Sequence, residues 1–397
     1  MTSPNTDIAG RTHLNSLDGL RALMAIWVVL GHLSYAVNFS FPVISTPAKA
    51  VDIFMVLTGF LMVHTWKGDV FSRRISLRVA VNFWCSRLFR LAPAFYFLLI
   101  VAFLVLGPLT QMHNDASRAL PPPWITNAAT YDPDPHWNFS NPTWIVSHLT
   151  FVFGMIPGME NSSPIPEWSL SLEMQFYMLL PILMLLFVRV PFIVLAIVFA
   201  ALALVSPKLF GNYLEPGFLA NFSQPSHLLY RLNAFAAGMI LSFWLKAGGR
   251  QRLSRGAMSK GEITHDLLMV FGMAICIVPL GKLVLVLYAL FVSLVLFRVP
   301  FFSWFFSLRI MRFLGDISYS VYLSHYFVLT PVVYLLIKHT NFVALHPGTR
   351  FAIGACLILP SVFLLSYLIY RSIELPFIRW GKSVIGRQRE QPRPAVP

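Results

Sequence analysis

Charge is what this sequence has least of. Only 12% of its 397 residues are Asp, Glu, Lys or Arg, about half the share usual in a soluble domain. With 57% hydrophobic residues, that scarcity excludes a water-solvated globule and a disordered chain alike. Cysteine is also rare. Cys85, Cys276 and Cys356 lie far apart, in or beside apolar runs, which excludes a disulfide framework and offers no metal-ligand spacing; no metal is expected. Acidic residues number 16 against 30 basic. The resulting charge of +14 invites a nucleic-acid partner, but the basic residues are confined to short segments between apolar runs, where they act as topology signals. No nucleic acid is expected. No cleavable signal peptide pattern is present, because the first apolar run is already full length and follows a polar leader. Internal repeats and paired broken helices, common in transporters, are missing as well.

Long apolar runs are what the chain has in their place. They fall at 16–38, 49–66, 85–107, 166–188, 190–205, 228–246, 265–280, 282–298, 316–338 and 351–373. Several approach the roughly 20 residues that cross a bilayer, so the expected fold is an all-α polytopic bundle of about ten membrane-spanning helices. A shorter run at 144–157 reads as an interfacial or re-entrant segment. Lys67, Arg73, Arg74, Arg78 and Arg87 follow span two; Lys246, Arg250, Arg252, Arg255 and Lys260 follow span six. Arg298, Arg309 and Arg312 follow span eight, and Arg379, Lys382, Arg387, Arg389 and Arg393 follow span ten. Ten spans put all of these on the side of the N-terminus, which the positive-inside rule makes the cytoplasm. The expected division is a polar leader over 1–13, a membrane domain over 14–380 and a basic cytoplasmic tail over 381–397. Within the membrane domain, 108–143 reads as a long extracytoplasmic loop carrying Trp124, Tyr131 and Trp137.

Against this background the intramembrane polar residues stand out, because an ionised group at the centre of a span costs about 2.5–3.5 kcal/mol on insertion scales. In LNSLDGLRALMAIWVVLGH, Arg21 and His32 are eleven residues apart. That is about 16.5 Å of rise on one helix face, with Ala25 and Val28 between them as the wall of a slot. Topology then sorts the others by depth. His32, Asp52, Glu173 and Arg231 gather in the outer half, and Arg21, Arg87, Arg90 and Glu374 gather at the inner side. Each has a plain structural reading too: snorkelling arginines, a neutralising Asp18–Arg21 pair, a histidine bonded between helices. The sorting into a cationic inner cluster and an acid/base outer cluster favours chemistry that crosses the membrane.

The motifs LDGLRALMAIWVVLGH, VDIFMVLTGFLM, RLFRLAP, WSLSLEMQFYMLLP, RLNAFAAGMI, LGDISYSVYLSH and YRSIELPF occur in that order over residues 14 to about 380. Together they resemble the acyltransferase family 3 membrane proteins, which O-acylate bacterial polysaccharides and related glycoconjugates. The resemblance implies an O-acyltransferase of the bacterial inner membrane, multi-pass, with both termini cytoplasmic. It implies an acyl-CoA donor, acetyl-CoA being the expected form, and a saccharide or glycoconjugate acceptor across the bilayer. It implies His32 and Glu173 as catalytic positions and Arg21, Arg87 and Arg90 as donor-binding positions. Asp52 or Glu173 would orient His32, as the acid of a triad orients its imidazole. Arg231, Trp168, Tyr177, Tyr322 and His325 are the candidate substrate-binding residues. His32 as general base and His32 as nucleophile both remain open, as does a transporter or flippase of a glycoconjugate in place of an enzyme.

Overall fold

The computed structural model describes the backbone of residues 4–123, 125, 142–213, 226–255, 258–297 and 299–390; side chains are described from residue 16 to 385 within these ranges, except 206–213, 253 and 297. All described regular structure is helical: α1 (Pro4–Ala36), α2 (Pro47–His64), α3 (Leu77–Ala119), α4 (Pro142–Leu149), α5 (Trp168–Arg189), α6 (Phe192–Tyr213), α7 (Leu232–Lys246), α8 (Gly249–Ser254), α9 (Lys260–Ile277), α10 (Lys282–Val292), α11 (Pro300–Phe306), α12 (Arg309–Asp316), α13 (Ser318–Ser324), α14 (Tyr326–His339), α15 (Pro347–Ile369) and α16 (Leu375–Glu390). This is the all-α architecture expected from the apolar runs. Among the described residues, six helices are long and apolar enough to cross a membrane, or eight if the bent pairs α10–α11 and α13–α14 each count as one span. The two remaining expected spans correspond to the shorter apolar helices Phe192–Val205 and Leu232–Lys246. The outer surface of the bundle carries Ile100, Leu104, Val286, Leu267 and Leu364, all more than 60% exposed, as helices facing lipid rather than water must.

Hydrophobicity alone does not hold helices together in lipid, so close backbone approach does. α2 lies directly against α7. A Cβ added at Gly238 would sit 2.0 Å from the carbonyl oxygen of Val56, and one at Gly59 would sit 2.1 Å from that of Phe235. Only glycine permits this crossing. Gly238→Val is therefore expected to destabilise the protein by about 1–3 kcal/mol through overpacking, read as a lower melting temperature in detergent.

Two departures from the sequence reading matter for the site. The first is α3, which does not end near residue 107. It continues through Pro108 to Ala119, so the first third of the segment expected as an extracytoplasmic loop is helix; Trp124, Tyr131 and Trp137 lie outside the described residues. At 1.5 Å per residue its 43 residues run about 65 Å, twice the hydrocarbon thickness. Pro93 and Pro108 lie inside this helix, each at the cost of a backbone hydrogen bond. The second is α13–α14, which bends by 49° at His325.

The short 144–157 run forms α4 and a following turn. It is pinned to the start of α5 by buried polar contacts. His148 Nε2 lies 3.1 Å from Glu167 Oε1, both fully buried, while Trp144 and Phe153 sandwich the imidazole at 3.7 and 4.5 Å. Burial raises the Glu167 carboxyl above its usual range, and the His148 contact opposes that rise.

Candidate active site

Two cavities flank the bend in α13–α14. The first is cationic. Arg21 from α1 and Arg87 and Arg90 from α3 line it, together with Thr58 from α2, Glu173 and Tyr177 from α5, and Tyr319 and Tyr322 from α13. Arg21 and Asp18 are 3.7 Å apart. The Arg87 guanidinium lies over the rings of Phe83 and Tyr177 at 5.6 and 5.9 Å, and its Nε is buried with no hydrogen-bond partner. A buried, unsatisfied guanidinium donor is costly unless an anion completes it. Arg90 feels the buried Glu374 carboxylate, which Ser320 Oγ reaches at 2.9 Å; a π-helical turn over Tyr370–Glu374 carries that carboxylate. Three guanidiniums on one cavity suit a phosphate-rich ligand by bidentate, charge-assisted hydrogen bonding.

The second cavity, of about 220 Å3, holds His32 and Tyr35 from α1, His113 and Ser117 from α3, and Tyr326 and Thr330 from α14. Tyr322 lines the first cavity and Tyr326 the second. The two are one helical turn apart, about 6 Å of rise, and His325 sits between them. His32 Nδ1 and His325 Nε2 are 2.9 Å apart, with the rings nearly parallel. The other nitrogen of His325, Nδ1, faces the carbonyl oxygens of Tyr322 at 2.8 Å and Val321 at 3.2 Å.

That chain of contacts assigns the tautomers of two neutral rings. Carbonyl oxygens only accept, so His325 Nδ1 carries the proton and donates it. Its Nε2 then holds a lone pair and accepts from His32 Nδ1–H. His32 Nε2 is left as a lone pair, the form that a base or a nucleophile requires.

Several expected positions move. His32 is not oriented by Asp52 or Glu173: among the described residues its hydrogen-bond partner is His325. Glu173 is placed with the arginines, where its carboxylate accepts a hydrogen bond from Tyr177 Oη and another from Thr58 Oγ1 at 3.3 Å. Asp52 is 1% exposed and paired with Arg231 Nε at 2.7 Å and Lys49 Nζ at 3.6 Å, and neither Asp52 nor Arg231 lines a cavity described above. Their ion pair joins α2 to the start of α7. Sequence depth grouped these residues with His32, whereas the structure sets Glu173 in the arginine cavity and Asp52 and Arg231 in neither. Ala25 and Val28 are buried and line neither cavity, and Arg21 and His32 line separate cavities rather than the two ends of one slot. Trp168 is buried at the first residue of α5 and also lines neither. Tyr177 and Tyr322 do line the arginine cavity. Tyr322 Oη lies 2.6 Å from Ser169 Oγ.

Residues 14–371 match the acyltransferase domain of acyltransferase family 3. The chain belongs to that family. Membership decides against the transporter reading and bears out the motif resemblance over almost the whole chain. Peptidoglycan O-acetyltransferase OatA of Listeria monocytogenes is 27% identical over 400 residues, 94% of this chain and 57% of that protein. O-acetyltransferase OatA of Staphylococcus aureus is 30% identical over 177 residues, 43% of this chain and 24% of that protein. The chain thus spans about half the length, or less, of these family relatives. No solved structure matches.

The residues missed by sequence reasoning, His113, Ser117, Tyr35 and Tyr326, are those of the histidine cavity. His113 and Ser117 are four apart, one helical turn. That signal lies in a stretch between apolar runs whose richness in Pro and Asn reads as loop.

Proposed function

We propose that the chain is an integral membrane O-acyltransferase that takes an acyl group from acyl-CoA at the arginine cavity, facing the cytoplasm. It delivers that group to a saccharide hydroxyl at the histidine cavity, facing outward. The observation that carries this reading is the His32–His325 pair set in a partition one helical turn thick, with phosphate-type chemistry on one side and a base on the other. Arg21, Arg87 and Arg90 would hold the phosphates of the coenzyme. His32 Nε2 takes the proton of the acceptor hydroxyl as its oxygen bonds to the thioester carbonyl carbon; the carbon–sulfur bond then breaks, and the imidazolium returns its proton to the departing thiolate. His325 accepts from His32 Nδ1–H throughout and steadies the cation. The relatives' names point to a peptidoglycan-type glycan as acceptor and acetyl as the acyl group.

Purified protein in liposomes, supplied with radiolabelled acetyl-CoA and soluble N-acetylated glycan oligomers, should put label on the glycan; labelled glycan failing to appear while the folded protein binds donor would overturn the reading. The arginines give a second test. Arg87→Ala removes contacts made in ground and transition states alike, so KM for acetyl-CoA should rise at least about tenfold with a smaller change in kcat. Arg87→Lys should recover only part of that affinity, because a point charge does not reproduce the planar fork.

A further inference from the structure

The end of α3 reaches the histidine cavity. His113 and Ser117, both half-buried, face the cavity on successive turns with Ala116 between them. Across from them the Tyr326 ring lies 5.0 Å from the His32 ring, and the Tyr35 ring lies 6.3 Å from it. Tyr35 Oη donates to the Ser45 carbonyl at 2.9 Å, which ties back its hydroxyl and leaves its apolar ring to the cavity. None of the described residues lining this cavity is Asp, Glu, Lys or Arg. Apolar walls with a few placed hydrogen-bonding groups are the general form of a small-molecule site. Here the aromatic rings suit the C–H face of a sugar, the imidazole and hydroxyl suit its hydroxyl edge, and the described lining offers no side-chain charge to pair with an acidic ring.

We infer that the α3 extension builds the acceptor subsite: His113 and Ser117 hydrogen-bond one uncharged pyranose unit against Tyr35 and Tyr326, with one of its hydroxyls presented to His32 Nε2. This rests on the acyl-transfer reading above and adds to it the specificity-determining residues.

The test uses full-length protein, acetyl-CoA and penta-N-acetylglucosamine as the acceptor probe. Both transfer kinetics and pentasaccharide binding by calorimetry are measured. His113→Ala and Ser117→Ala should each raise the acceptor KM at least about tenfold, the loss of one well-made hydrogen bond, and weaken binding in parallel. The KM for acetyl-CoA should stay unchanged. His113→Gln, which keeps a hydrogen-bonding group there, should recover most of the loss. Leu104→Ala, on the lipid-facing surface, is the folding control. Transfer with an unchanged acceptor KM in both alanine variants overturns the subsite and leaves the acyl-transfer reading standing. Pentasaccharide binding that depends on His113 without transfer by the wild-type protein supports the subsite and removes the acyl-transfer reading. Neither binding nor transfer by the wild type overturns both. An oligosaccharide of uronate units binding as tightly as the neutral probe overturns the uncharged-ring specificity.

Discussion

His32→Ala should cut acyl transfer at least about a hundredfold, the usual contribution of a placed general base, while KM for acetyl-CoA stays within about a factor of two. The split follows from position. His32 opens onto the cavity remote from Arg21, Arg87 and Arg90, and the proton moves only on the way to the transition state, so the ground-state donor complex does not use the imidazole. Membrane level and melting temperature should remain near wild type, because alanine at a cavity wall leaves no unsatisfied partner beyond the His325 Nε2 lone pair. Near-normal transfer by a well-folded variant would remove His32 from the chemistry. An acyl group trapped on Nε2 after rapid quench would make His32 a nucleophile at the same atom, since the tautomer that leaves this lone pair serves either role.

The second large effect is expected at His325, and it separates a positioning role from a packing one. His325→Leu keeps an apolar side chain of similar bulk but deprives His32 Nδ1–H of its acceptor, so the imidazole can turn or change tautomer and lose its lone pair toward the acceptor. Transfer should fall about a hundredfold or more, as when the orienting member of a triad is lost, again with little change in donor KM. His325→Gln should restore a substantial part, because a carboxamide oxygen can accept from His32 Nδ1. His325→Lys should be at least as damaging as leucine: it places a donor, and a cation, against a donor. Equal losses in the Leu and Gln variants would mean that shape alone matters at this position. Full activity in the Leu variant would mean that another group orients His32.

Glu173 shows what depth reasoning by itself leaves open. The apolar runs group it with His32 in the outer half, yet its carboxylate lies with Tyr177, Thr58 and the arginines, in the other cavity from His32. Hydropathy fixes neither the rotation of α5, about 100° per residue, nor its axial register against α1 and α13, and both enter into which cavity receives the carboxylate. Asp52 is a sharper case. An acid near the outer end of a span reads as catalytic, but burial at 1% exposure beside Arg231 and Lys49 makes it part of an ion pair whose partners come from different segments of the chain.

By itself the sequence determined the helical membrane architecture, because scarce charge and long apolar runs leave a chain in lipid no other way to satisfy its backbone. It also determined the alignment of Arg21 with His32, because both lie on one helix and helical geometry relates them directly. Only the tertiary structure decided that His32 meets His325, 293 residues away, and that backbone carbonyls at the bend of α13–α14 set the tautomers of both. It alone decided that the end of α3 closes the cavity around them. Those relations join separate helices whose rotation and approach are settled by packing, down to the backbone contacts that Gly59 and Gly238 permit. No local pattern in the chain encodes where two such faces will meet.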